Sequence, residues 1–231
     1  MTLLVKRGLA DQIFDLVRDR IISGMMVGDM PIRQDALAAE LGVSKIPLRE
    51  AFAKLEQDGL VLSQANRGFF VRPLSADEAY DVFDLRLKIE PEAVALACRR
   101  ASADDHEIAQ TALAALNQAI ETRRPEAGAL NRAFHLALIR PGGRLVTMQM
   151  VERLQVIAER YVCKHLEPKG RDDQAVAEHK ALFGAWAAGR ADAAAALASA
   201  HIANTLRDLR AEFAVARERL DDSPVPVLGR S

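Results

Sequence analysis

Cysteine is nearly absent. Cys98 and Cys163 are the only two in 231 residues, far apart and each inside a helical pattern. That excludes a disulfide framework and points to reduced thiols in a cytoplasmic protein. Aromatic residues are scarce at 5%, while half of the chain is hydrophobic and rich in alanine, a balance that points to a mostly helical protein. No stretch approaches the roughly 20 consecutive apolar residues that span a bilayer. The opening MTLLVKRG lacks the apolar run of a secretory signal, so no membrane partner is expected. Neither charge sign dominates: the formal net charge is −1, which excludes a global basic field. Any contact with nucleic acid must rest on a local cluster. The length suffices for two domains with cores of their own. There is no internal repeat, and the alanine-rich 191–198 is a good helix former.

What is present is most informative between Asp35 and Gly59, DALAAELGVSKIPLREAFAKLEQDG. It reads as two short helices joined by a tight turn. Ala36, Leu37, Leu41 and Ala38 supply the buried side of the first, and Gly42 ends it in the left-handed conformation that commonly closes a helix. Val43 points back to the core. Ser44 suits the N-cap of the second helix, and Pro47 falls in its first turn, where a missing N–H costs nothing. Leu48, Phe52 and Leu55 recur at helical spacing as its buried stripe. Lys45, Ile46, Arg49 and Lys54 are left on or near the other side, with cations close to the helix start. A helix end of that kind suits a DNA major groove.

After Gly59, residues 60–64 and 68–72 read as two strands around Ala65-Asn66-Arg67, a hairpin tip that carries Arg67. Helix, turn, helix and a basic hairpin make a winged helix-turn-helix. The alternative is a small α+β domain whose basic residues are merely solvated. Ahead of it, Leu9, Ile13, Leu16, Val17 and Ile21 mark one face of a helix from about Leu9 to Ser23, ended by Gly24. Gly28, Asp29 and Pro31 make a turn, with a short third strand at Met30–Ile32. The local basic cluster is Arg33, Lys45, Arg49, Arg67 and Arg72.

The run LGVSKIPLREAFAKLEQDGLV followed by NRGFFV resembles the DNA-binding domain of GntR-family bacterial transcription regulators, over about residues 8 to 74. Turn, helix and wing match in order. The resemblance implies that Ser44, Lys45, Ile46, Pro47 and Arg49 meet the groove and backbone of double-stranded DNA. It implies that Arg33 contacts phosphate, and that Arg67 with Gly68 brings the wing to the minor groove. Lys45 stands where the family usually has Arg, and Ile46 where it has Thr or Ser. Lysine is a point charge rather than a bidentate fork, so base preference there differs. The usual phosphate contact of the family lies nearer position 35, here aspartate.

Arg72-Pro73-Leu74-Ser75 is the expected boundary. Pro73 disfavours helix just before it, and Ser75 caps the next helix with Glu78 as capping-box partner. From there only helices are expected, near 76–99, 103–122, 126–139, 143–165, 171–188 and 190–219. Pro91 should kink or divide the first. Pro125, Pro141-Gly142-Gly143, Pro168-Lys169-Gly170 and Gly189 separate the others. The expected organisation is mainly α: a winged helix-turn-helix domain over 1–74, an all-α bundle of about six helices over 75–220, and a disordered tail over 221–231.

Three of the five histidines fall in mainly apolar helices. His135 lies four residues after Asn131, so both project from one helix face. His179 sits among Val176, Leu182, Phe183 and Trp186, and His201 among Leu197, Ile202 and Leu206. A buried imidazole needs a partner, either a metal or a hydrogen-bonded polar core. His106 and His165 fall near helix ends among charged residues and read as solvated. The helical half resembles the FCD effector-binding domain attached to many GntR regulators of the FadR-like subfamily. That domain carries an Asp-x-x-x-His pair, a histidine in a Glu-His segment and another in the last helix. The matching positions are Asn131 and His135, His179 after Glu178, and His201. The resemblance therefore implies a divalent metal. Three imidazoles and one oxygen suit Zn²⁺ first, with Ni²⁺ or another divalent ion as alternatives. Asn131 in place of aspartate coordinates without adding charge, which weakens affinity.

Arg86 interrupts an apolar stripe of Val82, Ile89 and Ala93, and an arginine so placed needs an anion. The partner is either Glu90, one turn on, or the carboxylate of a small ligand. Arg160 is a second, weaker anion contact. The resemblance favours small organic acids as effectors. The leading reading is thus a homodimeric transcription regulator on a palindromic operator, controlled by a carboxylate bound near a metal. A metal-responsive regulator without organic effector is one alternative. A metal-dependent hydrolase is another, weakened because Glu178, beside His179 in sequence, points about 100° away on a helix.

Overall fold

The computed structural model describes residues 8–221 apart from 27, 29, 123–125 and 166–171. The expectations for the lead-in, Asp29, Pro125, the Pro168–Gly170 turn, the His165 side chain and the tail beyond 221 lie outside the described residues.

The chain opens with α1 (Leu9–Ile22), α2 (Gln34–Leu41) and α3 (Lys45–Gln57), followed by β1 (Val61–Gln64) and β2 (Gly68–Val71). Gly42 takes φ +64°, and the N–H groups of Gly42 and Val43 return to the carbonyls of Ala39 and Ala38, which closes α2 as a left-handed glycine cap does. Ser44 is extended at the N-cap of α3, but its side chain makes no cap hydrogen bond. β1 and β2 pair antiparallel with Val61 opposite Val71 and Gln64 opposite Gly68. Asn66 at the tip has φ +61°, a conformation asparagine tolerates. The expected third strand reduces to a single bridge between Pro31 and Phe70.

Leu48, Phe52 and Leu55 of α3 are wholly buried with Ile13, Val17 and Ile21 of α1 and Leu37 of α2. Phe52 also stacks on Phe69 of the hairpin at 4.9 Å, so the wing is fixed to the second helix of the motif. Three expectations are corrected. Leu9 and Leu16 are exposed, because the buried stripe of α1 runs through Ala10, Ile13, Val17 and Ile21 and leaves them on its flank. Ala36 is exposed as well, and the buried side of α2 is Leu37 and Ala38.

The rest of the described chain is helical: α4 (Ala76–Cys98), α5 (Ala103–Glu121), α6 (Ala127–Ile139), a 3-10 turn at Arg140–Gly142, α7 (Leu145–His165), α8 (Asp172–Ala187) and α9 (Ala191–Asp221). α4 runs undivided through Pro91. Proline removes one N–H from the ladder, and burial of Glu90, Ala93 and Val94 on either side holds the helix together across it. Ser75 accepts the N–H of Glu78, but the Glu78 carboxylate turns to Tyr161 and Arg72 instead of closing a capping box. A reciprocal box does form at Ser102 and Asp105, at the start of α5.

Two apolar clusters fill the helical part. One joins Phe134 and Leu138 of α6, Leu116 of α5, Trp186 of α8 and Ala198 of α9. The other joins Phe83 of α4, Tyr161 of α7 and Leu206 and Leu209 of α9. Val156 of α7 belongs instead to the cluster of α1 and α3. α7 thus packs on both parts of the molecule. His106 is half-buried, with its ring edge-on to Trp186 at 5.1 Å, rather than solvated.

Candidate nucleic-acid interface and metal centre

The first turn of α3 is open to solvent: Ser44, Lys45, Ile46 and Arg49 are exposed and Pro47 is half-buried. Ile46 is 70% exposed. Lys45 pairs with Asp35 at the start of α2, 2.6 Å away. Gln34 lies against Gly68, its side-chain nitrogen 3.5 Å from where a Cβ would stand. The Ile32 N–H meets the Phe69 carbonyl at 2.8 Å. These contacts bring the start of α3, the start of α2 and the hairpin to one end of the fold. The side chains of Arg33 and Arg49 make no hydrogen bond or ion pair among the described residues, and both residues are exposed, while Arg67 lies over the Phe70 ring at 5.3 Å. Lys54, by contrast, is held by Asp11. Arg72 is turned to Glu78.

The three histidines converge from three helices, His135 on α6, His179 on α8 and His201 on α9. Ring centroids are 5.1 Å apart for His135 and His179, 5.1 Å for His135 and His201, and 4.7 Å for His179 and His201. One nitrogen from each lies within 4.8 Å of the others. Nitrogens on tetrahedral zinc stand roughly 3.4 Å apart, a spacing these rings approach. Nε2 of His135 and both ring nitrogens of His179 are buried with no hydrogen-bond partner. Buried imidazole nitrogens without partners are what a metal would satisfy. Burial pushes the His179 imidazole down to about 3, and the neighbouring His201 adds to the effect. Burial, with His201, His179 and Arg86, holds His135 well below the usual histidine range. Both rings therefore stay neutral near pH 7, the form that binds metal. Asn131 stands half-buried one turn before His135 on α6, where its side-chain oxygen could supply a fourth donor.

Around these rings the charged groups are paired. Arg86 meets both oxygens of Glu90, at 2.6 and 3.4 Å, and Gln155 of α7 adds a third donor to Glu90 at 3.1 Å. Of the two partners expected for Arg86, the protein carboxylate is the one in place. Arg132 of α6 is paired with Glu159 of α7, both buried. Gly128 makes room for this pair, since a Cβ there would sit 2.5 Å from the Glu159 carboxylate. Arg160 donates through Nη2 to the carbonyl of Arg72 at 2.6 Å, while its Nη1 is buried without a hydrogen-bond partner. Glu178 accepts from Nδ1 of His201 at 2.7 Å, from Asn204 at 2.8 Å and from Gln174 at 2.9 Å. Burial opposes its charge, yet these hydrogen bonds together outweigh that and hold its carboxyl at about 2.

Sequence reasoning missed Arg132, Gln155 and Glu159. The available signal was Gln155 and Glu159 four residues apart on an otherwise apolar face of α7, matching Arg132 beside Asn131.

Comparison with known proteins bears on both regions. Residues 9–71 match the family model for bacterial regulatory proteins of the gntR family, and residues 81–204 match the FCD domain. The Nta operon transcriptional regulator of Aminobacter aminovorans is 34% identical over 56% of this chain and 60% of its own length, under two thirds of that protein. The HTH-type transcriptional repressor GlaR of Escherichia coli is 31% identical over 63% of this chain and 68% of its own. In structure, McbR/YncC of E. coli superposes with a TM-score of 0.78 at 21% identity, covering 90% of this chain and all of that one. The families matched are those of regulators, not enzymes. No described helix is long and apolar enough to cross a membrane.

Proposed function

This chain belongs to the GntR family of bacterial regulatory proteins, with an FCD domain following its DNA-binding domain, and from that premise we propose how its operator affinity is set. The observation that carries the proposal is the convergence of three buried imidazoles, two of them with unpartnered nitrogens, beside the Arg86–Glu90 pair.

In this reading His135, His179 and His201, with Asn131, hold a divalent metal, Zn²⁺ before Ni²⁺ or other ions. The metal supplies a Lewis-acidic attachment point for a small organic carboxylate. Arg86 supplies the second contact. Because Glu90 already occupies Arg86, an incoming carboxylate exchanges with Glu90, and Gln155 is freed with it. That exchange touches α4 and α7 together, the two helices next to the DNA-binding head. Arg160 acts as a junction residue in this reading and not as an effector contact. An effector shifts the arrangement only by its differential affinity for the two states.

In the cytoplasm the protein acts as a homodimer that places two recognition helices on a palindromic operator. Ser44, Lys45, Ile46, Pro47 and Arg49 enter the major groove and meet its backbone. Arg33 reaches phosphate, and Arg67 with Gly68 carries the wing to the minor groove. Arg49→Ala is expected to abolish operator retention in a mobility-shift assay without changing the melting temperature. Unchanged retention would overturn the DNA assignment. For the effector, a thermal-shift screen of small carboxylates with and without Zn²⁺ is expected to show an acid raising the melting point beyond the effect of Zn²⁺ alone, and only when Zn²⁺ is present.

One observation favours a second reading. Arg86 already holds both oxygens of Glu90, to which Gln155 also donates, so the metal alone serves as the signal and no organic acid is needed. A screen in which Zn²⁺ alone alters operator affinity, and no carboxylate adds to it, would select that reading.

A further inference from the structure

α8 presents two consecutive residues to different tasks. His179 points into the histidine centre, while Glu178, about 100° around the helix, wraps onto α9. There its carboxylate takes the Nδ1 proton of His201 at 2.7 Å and the Asn204 amide at 2.8 Å, one turn apart on α9, and Gln174 at 2.9 Å on its own helix. The set of ligand atoms gathered within 4.8 Å comprises the three histidines and not Glu178, so the carboxylate stands outside the centre, behind the His201 ring.

We propose that Glu178 is the positioning residue of this centre: it fixes His201 as the Nδ1–H tautomer with Nε2 as its ligand atom, and it places one negative charge directly behind the imidazoles. This rests on the metal reading above and deepens it. A histidine ligand whose second nitrogen is held by a carboxylate is oriented, confined to one tautomer and made a better donor. The charge matters more here than in a centre with a carboxylate ligand. Three imidazoles and the Asn131 amide bring no anion of their own, so a divalent ion would otherwise be buried with its full charge uncompensated. The bond to Asn204 and the bond to His201 share one carboxylate, which ties the last two described helices together at the level of the centre.

The test uses the full chain as wild type and as Glu178→Gln, Glu178→Ala and Gln174→Ala. Zn²⁺ dissociation constants are measured by competition with a chromophoric chelator. The His201 tautomer is read in metal-free protein from two-bond ¹H–¹⁵N correlations of the ring. Wild type is expected to show His201 protonated on Nδ1. Glu178→Gln keeps an acceptor oxygen but loses the charge, so the tautomer persists while Zn²⁺ binding weakens about tenfold. Glu178→Ala loses both, with mixed tautomers and weakening of up to about a hundredfold. Gln174→Ala removes a donor to the Glu178 oxygen that does not face His201 and is expected to weaken Zn²⁺ binding less than Glu178→Gln does. Glu178 variants that bind Zn²⁺ as tightly as wild type, or a wild-type His201 protonated on Nε2, overturn the inference alone. A wild type that takes up no Zn²⁺ overturns the metal reading, and this inference with it.

Discussion

Tyr161 gives its hydroxyl proton to the Glu78 carboxylate at 2.6 Å while its oxygen accepts the Ser75 N–H at 3.1 Å. The pair joins the middle of the molecule to the first turn of α4, where the head meets the helical body. Glu78 also holds Arg72 at 2.9 Å, and Arg160, the neighbour of Tyr161, holds the Arg72 carbonyl. On the same helix Gln155 and Glu159 reach Glu90 and Arg132, beside the histidines. α7 is therefore in contact with the connection to the head and with the surroundings of the histidine centre at once, and a shift at one end has a rigid element to travel along.

Tyr161→Phe keeps a ring that is wholly buried against Phe213 and deletes only the hydroxyl. The Ser75 N–H and the Glu78 carboxylate each lose a partner. The expected cost is about 1–2 kcal/mol, read as a lower urea midpoint with an unchanged denaturant slope. A midpoint equal to wild type would mean that water replaces the hydroxyl without loss.

Much of this molecule is legible along the chain, for identifiable reasons. Gly42, Pro47 and Gly68 punctuate the helix-turn-helix and its wing, and local backbone chemistry decides where such elements begin and end. His135, His179 and His201 each sit on an apolar stripe, so each must face inward, and six packed helices leave them one place to meet. The Arg86–Glu90 pair is readable as an i, i+4 contact. What is not readable is which partner a buried charge finds on another helix. Glu159 and Arg160 are adjacent, yet one turns to Arg132 and the other to Arg72, because α7 has a neighbour on each side. Tyr161 to Glu78 and Glu178 to His201 span 83 and 23 residues, and no periodicity encodes either. Leu9 and Leu16 show the converse: apolar identity does not ensure burial on the flank of a stripe.

Asp35→Asn is expected to strengthen DNA binding. Asp35 lies at the end of the fold that carries Arg33 and Arg49, and its carboxylate holds Lys45 at 2.6 Å. Removing that charge releases the lysine and takes an anion away from the phosphates. Measured against salt, log K should fall more steeply by about one unit of slope, with several-fold tighter binding at low salt. An unchanged slope would show that Lys45 reaches DNA while still paired.

Acid should destabilise the metal-free protein before its carboxylates titrate. In the unfolded chain the imidazoles protonate near pH 6.5, whereas in the fold burial and the adjacent His201 keep His179 neutral down to about 3, and His135 is depressed too. Below about pH 6.5 the unfolded state therefore binds more protons, and stability falls as pH falls; above that it is level. Each imidazole contributes up to about 1.4 kcal/mol per pH unit. Urea midpoints at pH 7.5, 6.5, 5.8 and 5.0 should decline only over the last steps, and His179→Gln should lessen the decline. A flat profile would mean that the rings are hydrated and charged in the fold.

Chelation separates a metal that builds the effector site from one that is itself the message. If the three histidines hold Zn²⁺ in the native state only, stripping the ion lowers stability by RT ln(1 + [L]/Kd), about 2.7 kcal/mol when the ion had been present at a hundred times its dissociation constant. The melting point should fall and return on adding Zn²⁺. The DNA response then discriminates, because the connection to α7 runs through Glu90 and Gln155 and not through the imidazoles themselves. In the carboxylate reading, stripped protein keeps its basal operator affinity and loses only the response to the acid, since Arg86 stays locked to Glu90. In the metal-signal reading, stripping alone moves operator affinity. A stripped protein that still answers a small carboxylate in full would place the acid somewhere other than the histidines.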